Sequence, residues 1–243
     1  MSILETLEWS GPALALLSHC AKLDPGRPAV LHIRHTERTS LDLDGSSGDD
    51  MLSTQAGIAA AKEFGSRLPR DRIYRMFHTY VQRAKETADA IRDGINSLGG
   101  QVEAGEIVPF RYSIDRVAIQ GYLKKVREMC GSEAQTSVRF TNDWLTGLVT
   151  PQDCILPSIV FAKNVSDYTL KKLESATPNT LDIYVSHDTY VGNIMFHWFG
   201  VPVHQDGVCF MDGFLLQLYD DKMVVSYRDN GAVLDYPRWW GRA

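Results

Sequence analysis

Three short, apolar, β-rich runs each end in a polar, charged cluster, and this repeat constrains the fold of the chain more than any other feature. Residues 29–33 lead into Arg34-His35-Thr36-Glu37-Arg38. Residues 73–77 lead, through His78, into a stretch from Thr79 to Ala88 that contains Arg83. Residues 181–185 lead into Ser186-His187-Asp188-Thr189. Short β-rich runs of this kind suit strands that sit inside a parallel sheet. If the sheet is parallel, the three clusters gather along one edge of it.

Helical patterns separate these strands. Ser53 or Thr54 can cap a helix whose buried stripe is Ala56, Ala59, Ala60 and Phe64. Ala84, Ala88, Ile91, Ile95 and Leu98 mark a second helix that stops at Gly99-Gly100. Val191, Ile194, Met195 and Trp198 mark a third, ended by Gly200 and Pro202. Pro12 opens a short N-terminal helix. A further strand fits residues 102–110, and residues 210–218 with 223–227 predict a hairpin around Asp220-Asp221. The expected fold class is α/β, a three-layer α/β/α sandwich with a mostly parallel central sheet, in a single domain over residues 1–243. Residues 111–178 break the rhythm. They read as a helical cap insertion, with stripes of Ile114, Val117 and Tyr122 and of Phe140, Trp144 and Leu148. Such a cap would lie over the carboxyl ends of the strands, where ligands bind in open sheets.

Bulk properties narrow the function. The formal net charge of −5 disfavours wholesale binding to nucleic acid or an anionic membrane. No run approaches the ~18 apolar residues of a membrane span. Glu5 and Glu8 precede the apolar residues 13–17, where a signal peptide carries Lys or Arg, so a cytoplasmic location is expected. Cys20, Cys130, Cys154 and Cys209 form no CxxC pair and read as free thiols.

The gathered clusters hold Arg34, Arg38, Arg83, His35, His187 and Asp188. Arginine forks match phosphate oxygens, and three together are costly without an anion between them. A neutral imidazole can attack phosphorus, and a carboxylic acid can protonate the departing alkoxide and then activate water. No Asp, Glu and His set has convincing metal-ligand spacing, so no metal or cofactor is expected, and the arginines take over charge neutralisation.

These residues resemble the histidine phosphatase superfamily, whose fold is that of phosphoglycerate mutase. Arg34-His35 with Arg38 is similar to the Arg-His-Gly-x-Arg-x-Pro signature of its acid-phosphatase branch, and His187-Asp188 to the later His-Asp pair. Thr79 and Arg83 fit its Ser-x-x-x-Arg-Ala-x-x-Thr-Ala motif, and residues 52–57 its Leu-Thr-x-x-Gly stretch. The resemblance spans residues 29–98 and 181–220. It implies a metal-independent phosphatase for a small-molecule phosphate monoester. His35 would be the nucleophile, Asp188 the general acid and then base, and Arg34, Arg38, Arg83 and His187 the phosphate grip. Two positions depart from the pattern: Thr36 replaces the usual Gly, and Ser40 the usual Pro.

Alternatives accompany this reading. Glu103 or Glu106 could be the proton donor, as in the branch with a Glu after the middle motif. The scaffold could be a phosphomutase, or a non-catalytic module binding a phosphorylated ligand. His32 reads as a core residue and His78 as a candidate for the pocket rim. His19, His197 and His204 read as structural or surface residues. The aspartates at 42, 44, 49 and 50 lack the EF-hand pattern and read as a solvated loop. Trp239-Trp240 reads as packing. Arg111, Arg116, Lys124, Lys125 and Arg127 read as a solvated basic face, with a substrate-facing patch as the alternative.

Overall fold

A computed structural model describes residues 2–39, 51–149 and 154–240. Seven strands form one sheet in the order β3-β2-β4-β1-β5-β6-β7. They are β1 (Ala29–Arg34), β2 (Ile73–His78), β3 (Gln101–Ile107), β4 (Thr180–Ser186), β5 (Gly213–Leu218), β6 (Lys222–Tyr227) and β7 (Asn230–Asp235). The helices are α1 (Gly11–Cys20), α2 (Gln55–Arg67), α3 (Gln82–Asn96), α4 (Arg116–Cys130), α5 (Glu133–Leu145), α6 (Ser158–Glu174) and α7 (Asp188–Phe199).

The α/β sandwich expected from the sequence is present. The parallel part consists of β3, β2, β4 and β1. From β1 outward the sheet continues antiparallel through β5, β6 and β7. The expected hairpin at Asp220-Asp221 is the β5–β6 turn, closed by Tyr219 N–H donating to the Lys222 carbonyl at 2.8 Å. Strand β7 was not foreseen. Its side chains are almost all exposed, so it lacks the apolar pattern that marks the others.

Alternate residues of β1 enter two cores. Ala29, Leu31 and Ile33 join a core with Leu16 of α1, Phe64 of α2 and Ile91 of α3. Val30 joins the opposite core with Phe140 and Trp144 of α5, Phe161 of α6 and Val191 of α7. This two-sided burial is why the strands read as continuous apolar runs. The segment read as a cap divides. Helix α6 packs with α7 in the layer against the sheet, while α4 and α5 pack on each other. Ser40 and the aspartates of the loop that follows it lie outside the described residues. Among those described, no helix is long and apolar enough to cross a membrane.

Candidate active site

Parallel pairing places the three clusters side by side. Arg34 is in register with Ser186, and His78 with Val185. The chain then leaves the sheet with His35 N–H donating to the Ser186 carbonyl at 2.9 Å and Thr79 N–H to the Val185 carbonyl at 3.2 Å. Arg83 stands in the first turn of α3, and Asp188 is the first residue of α7 with His187 at its N-cap. All six predicted site residues come together.

His35 is buried, with its Nδ1 2.7 Å from the Thr36 carbonyl. A carbonyl can only accept, so Nδ1 carries the proton and Nε2 keeps its lone pair. Arg83 Nε donates to that lone pair at 2.9 Å. Burial, followed by the charges of Arg34, Arg83 and His187, holds the His35 pKa well below its ordinary value. The imidazole is neutral, with its unprotonated Nε2 turned toward Arg83.

The arginines crowd one another. Burial and the neighbouring guanidinium charges pull Arg38 and Arg83 down to about 10. Arg34 is anchored by donating to the Val208 carbonyl at 2.6 Å, and it lies 4.3 Å over the Phe210 ring. It also stands 3.4 Å from Asp188. Arg38 pairs with Glu133 of α5. His187 Nε2 lies 3.0 Å from the Thr79 hydroxyl, and burial followed by Arg83 lowers its pKa to about 3. His187 Nδ1 and Arg34 Nε are buried without a hydrogen-bond partner among the described residues.

Asp188 is held as a carboxylate. Burial alone would raise its pKa, but Arg34, the Ser137 hydroxyl at 2.8 Å and the Thr189 N–H at 2.8 Å outweigh it and bring the group down to about 2. The helix N-terminus acts in the same direction. Glu103 and Glu106 lie on edge strand β3, away from this cluster. Glu106 instead pairs with Lys172 at 2.5 Å and accepts from Tyr168 at 3.2 Å.

The loop after His35 answers the question raised by Thr36. Its backbone does not use the left-handed region, which among the described non-glycine residues is occupied by Met211 and Arg228. The Thr36 hydroxyl donates to the Gly57 carbonyl at 2.9 Å, and the Thr36 N–H to the Thr87 hydroxyl at 3.0 Å. A Cβ on residue 57 would stand 2.6 Å from the Glu37 carbonyl and 3.0 Å from the Thr36 hydroxyl. Residue 36 can therefore carry a side chain because residue 57 carries none.

Other candidates resolve as structural. His32 is fully buried, stacked on Tyr184 and Phe214. His78 is buried, with its Nδ1 directed at the Thr79 carbonyl at 2.8 Å. Trp240 packs on Trp198. Sequence reasoning missed Glu133 and Ser137, one turn apart on α5, which reach Arg38 and Asp188. It also missed Phe210 and the Val208 carbonyl, which fix Arg34. No motif marks them, because each acts through a contact that only the fold creates.

Two cavities meet at Asp188. One, about 370 Å³, has charged walls that include Arg34, Arg38, Glu133 and Asp206. The other, about 310 Å³, is lined by Arg83, Arg111 and His187 together with aromatic and aliphatic side chains such as Tyr112, Tyr190 and Leu123.

No family model matches the chain, and no curated protein matches it. Solved structures do. Bacillus stearothermophilus YhfR superposes with a TM-score of 0.56 at 13% identity, over 84% of this chain and 97% of its own. The phosphoglycerate mutase from Bacillus anthracis str. Sterne superposes with a TM-score of 0.52 at 11% identity, over 90% of this chain and 96% of its own. The chain therefore shares its fold with YhfR and with this phosphoglycerate mutase.

Proposed function

We propose that the protein is a metal-independent phosphatase that hydrolyses a small-molecule phosphate monoester through a phosphohistidine on His35. The observation that carries this reading is the state of His35. It is neutral, its Nδ1–H is fixed on a backbone carbonyl, and its Nε2 lone pair accepts from Arg83 beside the charge of Arg34. Binding alone would need the arginines but no nucleophile so arranged.

In the first step Nε2 attacks phosphorus. Arg83 gives up its bond to Nε2 and turns its N–H to a phosphoryl oxygen. The P–N bond forms, the P–O ester bond breaks, and the electron pair leaves on the alcohol oxygen, which takes a proton from Asp188. In the second step Asp188 accepts a proton from water, the new P–O bond forms, and the P–N bond breaks to restore His35. Arg34, Arg38, Arg83 and His187 stabilise the charge on the equatorial oxygens. His187 Nδ1 and Arg34 Nε are buried atoms suited to meeting those oxygens.

A screen of phosphate monoesters with His35→Ala as control tests the reading. The wild type is expected to turn over at least one ester and His35→Ala none. A trapped phosphoenzyme should be labile in acid and stable in base. Equal inactivity of the two proteins across the screen overturns hydrolysis.

A further inference from the structure

The phosphoryl group belongs among Arg34, Arg38, Arg83 and His187, which line one or the other of the two cavities that share Asp188. The rest of a phosphate monoester needs a wall of its own. In the cavity that Arg83 and His187 line, Tyr112 stands edge-on to Tyr190 with ring centroids 5.5 Å apart, and Tyr190 edge-on to His187 at 5.1 Å. An aromatic wall thus runs outward from the reacting centre. Ile119 and Leu123 of α4 and the exposed Ile114 face the same space, with Tyr80 at the mouth beneath the Arg111 guanidinium at 4.7 Å. Asp188 lines both cavities, which is where the bridging ester oxygen must lie for a carboxyl group to protonate it.

Building on the phosphatase reading, we propose that the substrate is the phosphate ester of a phenol or a similarly flat aromatic alcohol, its ring seated between Tyr112 and helix α4. A cavity of about 310 Å³ holds one or two rings and little more. The edge-to-face geometry already present among Tyr112, Tyr190 and His187 is the one aromatic rings prefer. A phenol ionises at about 10, far below an aliphatic alcohol, so its ester makes a smaller demand on the acid. That suits a carboxyl group pinned by Arg34, Ser137 and the α7 N-terminus. Arg111, read from the sequence as part of a solvated face, becomes a rim residue that fixes Tyr80.

The test separates the pocket from the chemistry by using phosphonates, which carry the headgroup and cannot be hydrolysed. Phenylphosphonate is expected to bind the wild type at least tenfold more tightly than methylphosphonate, measured by calorimetry. Gln120→Trp, which places a ring in the cavity from α4, should reduce that ratio about tenfold, as should Ile114→Glu at its exposed edge. In hydrolysis, the same variants should lower kcat/KM for 2-naphthyl phosphate about tenfold more than for methyl phosphate. Equal affinities of the two phosphonates overturn the proposal. So does a phenyl preference that neither variant alters, because the ring would then sit elsewhere. If no ester is hydrolysed, the phosphatase reading fails, and the phosphonate ratios still decide the pocket.

Discussion

At the scale of single residues, the site is a set of groups held in the charge state their chemistry needs, with one exception. His35 is neutral, as the proposed nucleophile must be. Asp188 is ionised down to about 2, although a general acid must carry a proton. The two facts are reconciled if the proton enters with the substrate. A phosphate monoester loses its second proton near pH 6, and a monoanionic ester beside a carboxylate holds the same protons as a dianionic ester beside a carboxylic acid. The expected result is a kcat/KM that falls about tenfold per pH unit above roughly pH 6, following the ionisation of the ester used. In the bound complex the phosphoryl charge occupies Arg34 and lifts Asp188, so the limb of kcat should lie at higher pH. A profile flat from pH 5 to 9 would remove Asp188 from the acid role. Asp188→Asn should slow esters with poor leaving groups far more than p-nitrophenyl phosphate, and equal losses would again remove it. The site residues were legible in the sequence because each lies at the carboxyl end of a strand or within a few residues of it. Glu133 and Ser137 were not, since their importance depends on where α5 lands.

At the scale of elements, α2 and α3 pack closely on each other beside the site, and bare backbone lets them meet. A Cβ at Gly65 would stand 2.0 Å from the Ile91 carbonyl oxygen, and one at Gly94 2.0 Å from that of Lys62. The closeness matters at the site, because the loop before α2 hangs from α3 through the Thr36–Thr87 hydrogen bond. Gly65→Ala and Gly94→Ala are each expected to cost about 1–3 kcal/mol of stability, read from urea unfolding, as the helices separate. Activity should fall with them. The Thr54 cap of α2, one of two capping residues the sequence offered, accepts the Gly57 N–H at 2.9 Å, and Thr54→Ala should cost about 1 kcal/mol. Apolar periodicity revealed α2, α3 and α7. The antiparallel turn of the sheet beyond β1 was harder to read, because pairing direction leaves no mark on a strand's own composition. β7 was missed for lack of an apolar face.

Across the whole molecule, burial sets the response to acid. His32 and His187 are pushed down to about 3 by burial, so both stay neutral in the folded state while the unfolded chain takes up protons below about pH 6.5. The folded state therefore loses stability as pH falls from 7 towards 3. Asp188 adds to the loss only between about pH 4 and 2, whereas Asp182 and Asp212, both raised by burial, act in the opposite sense above their ordinary range. The interval from pH 7 to 5 spans the ordinary titration of histidine. His32→Leu should reduce the stability lost over that interval by about 2 kcal/mol, at 1.36 kcal/mol per unit, measured as the shift in urea midpoint. An unchanged slope would mean that His32 is protonated in the fold. The position of β1 carries a consequence for synthesis. It is the central strand, yet its partners β4 and β5 begin about 150 and about 185 residues later in the chain. At about 5–20 residues per second, a ribosome extends the chain for about 8–30 s before β1 has its first partner. Throughout that interval both edges of β1 are open to other nascent chains, so the middle of the sheet is the part that a chaperone must guard.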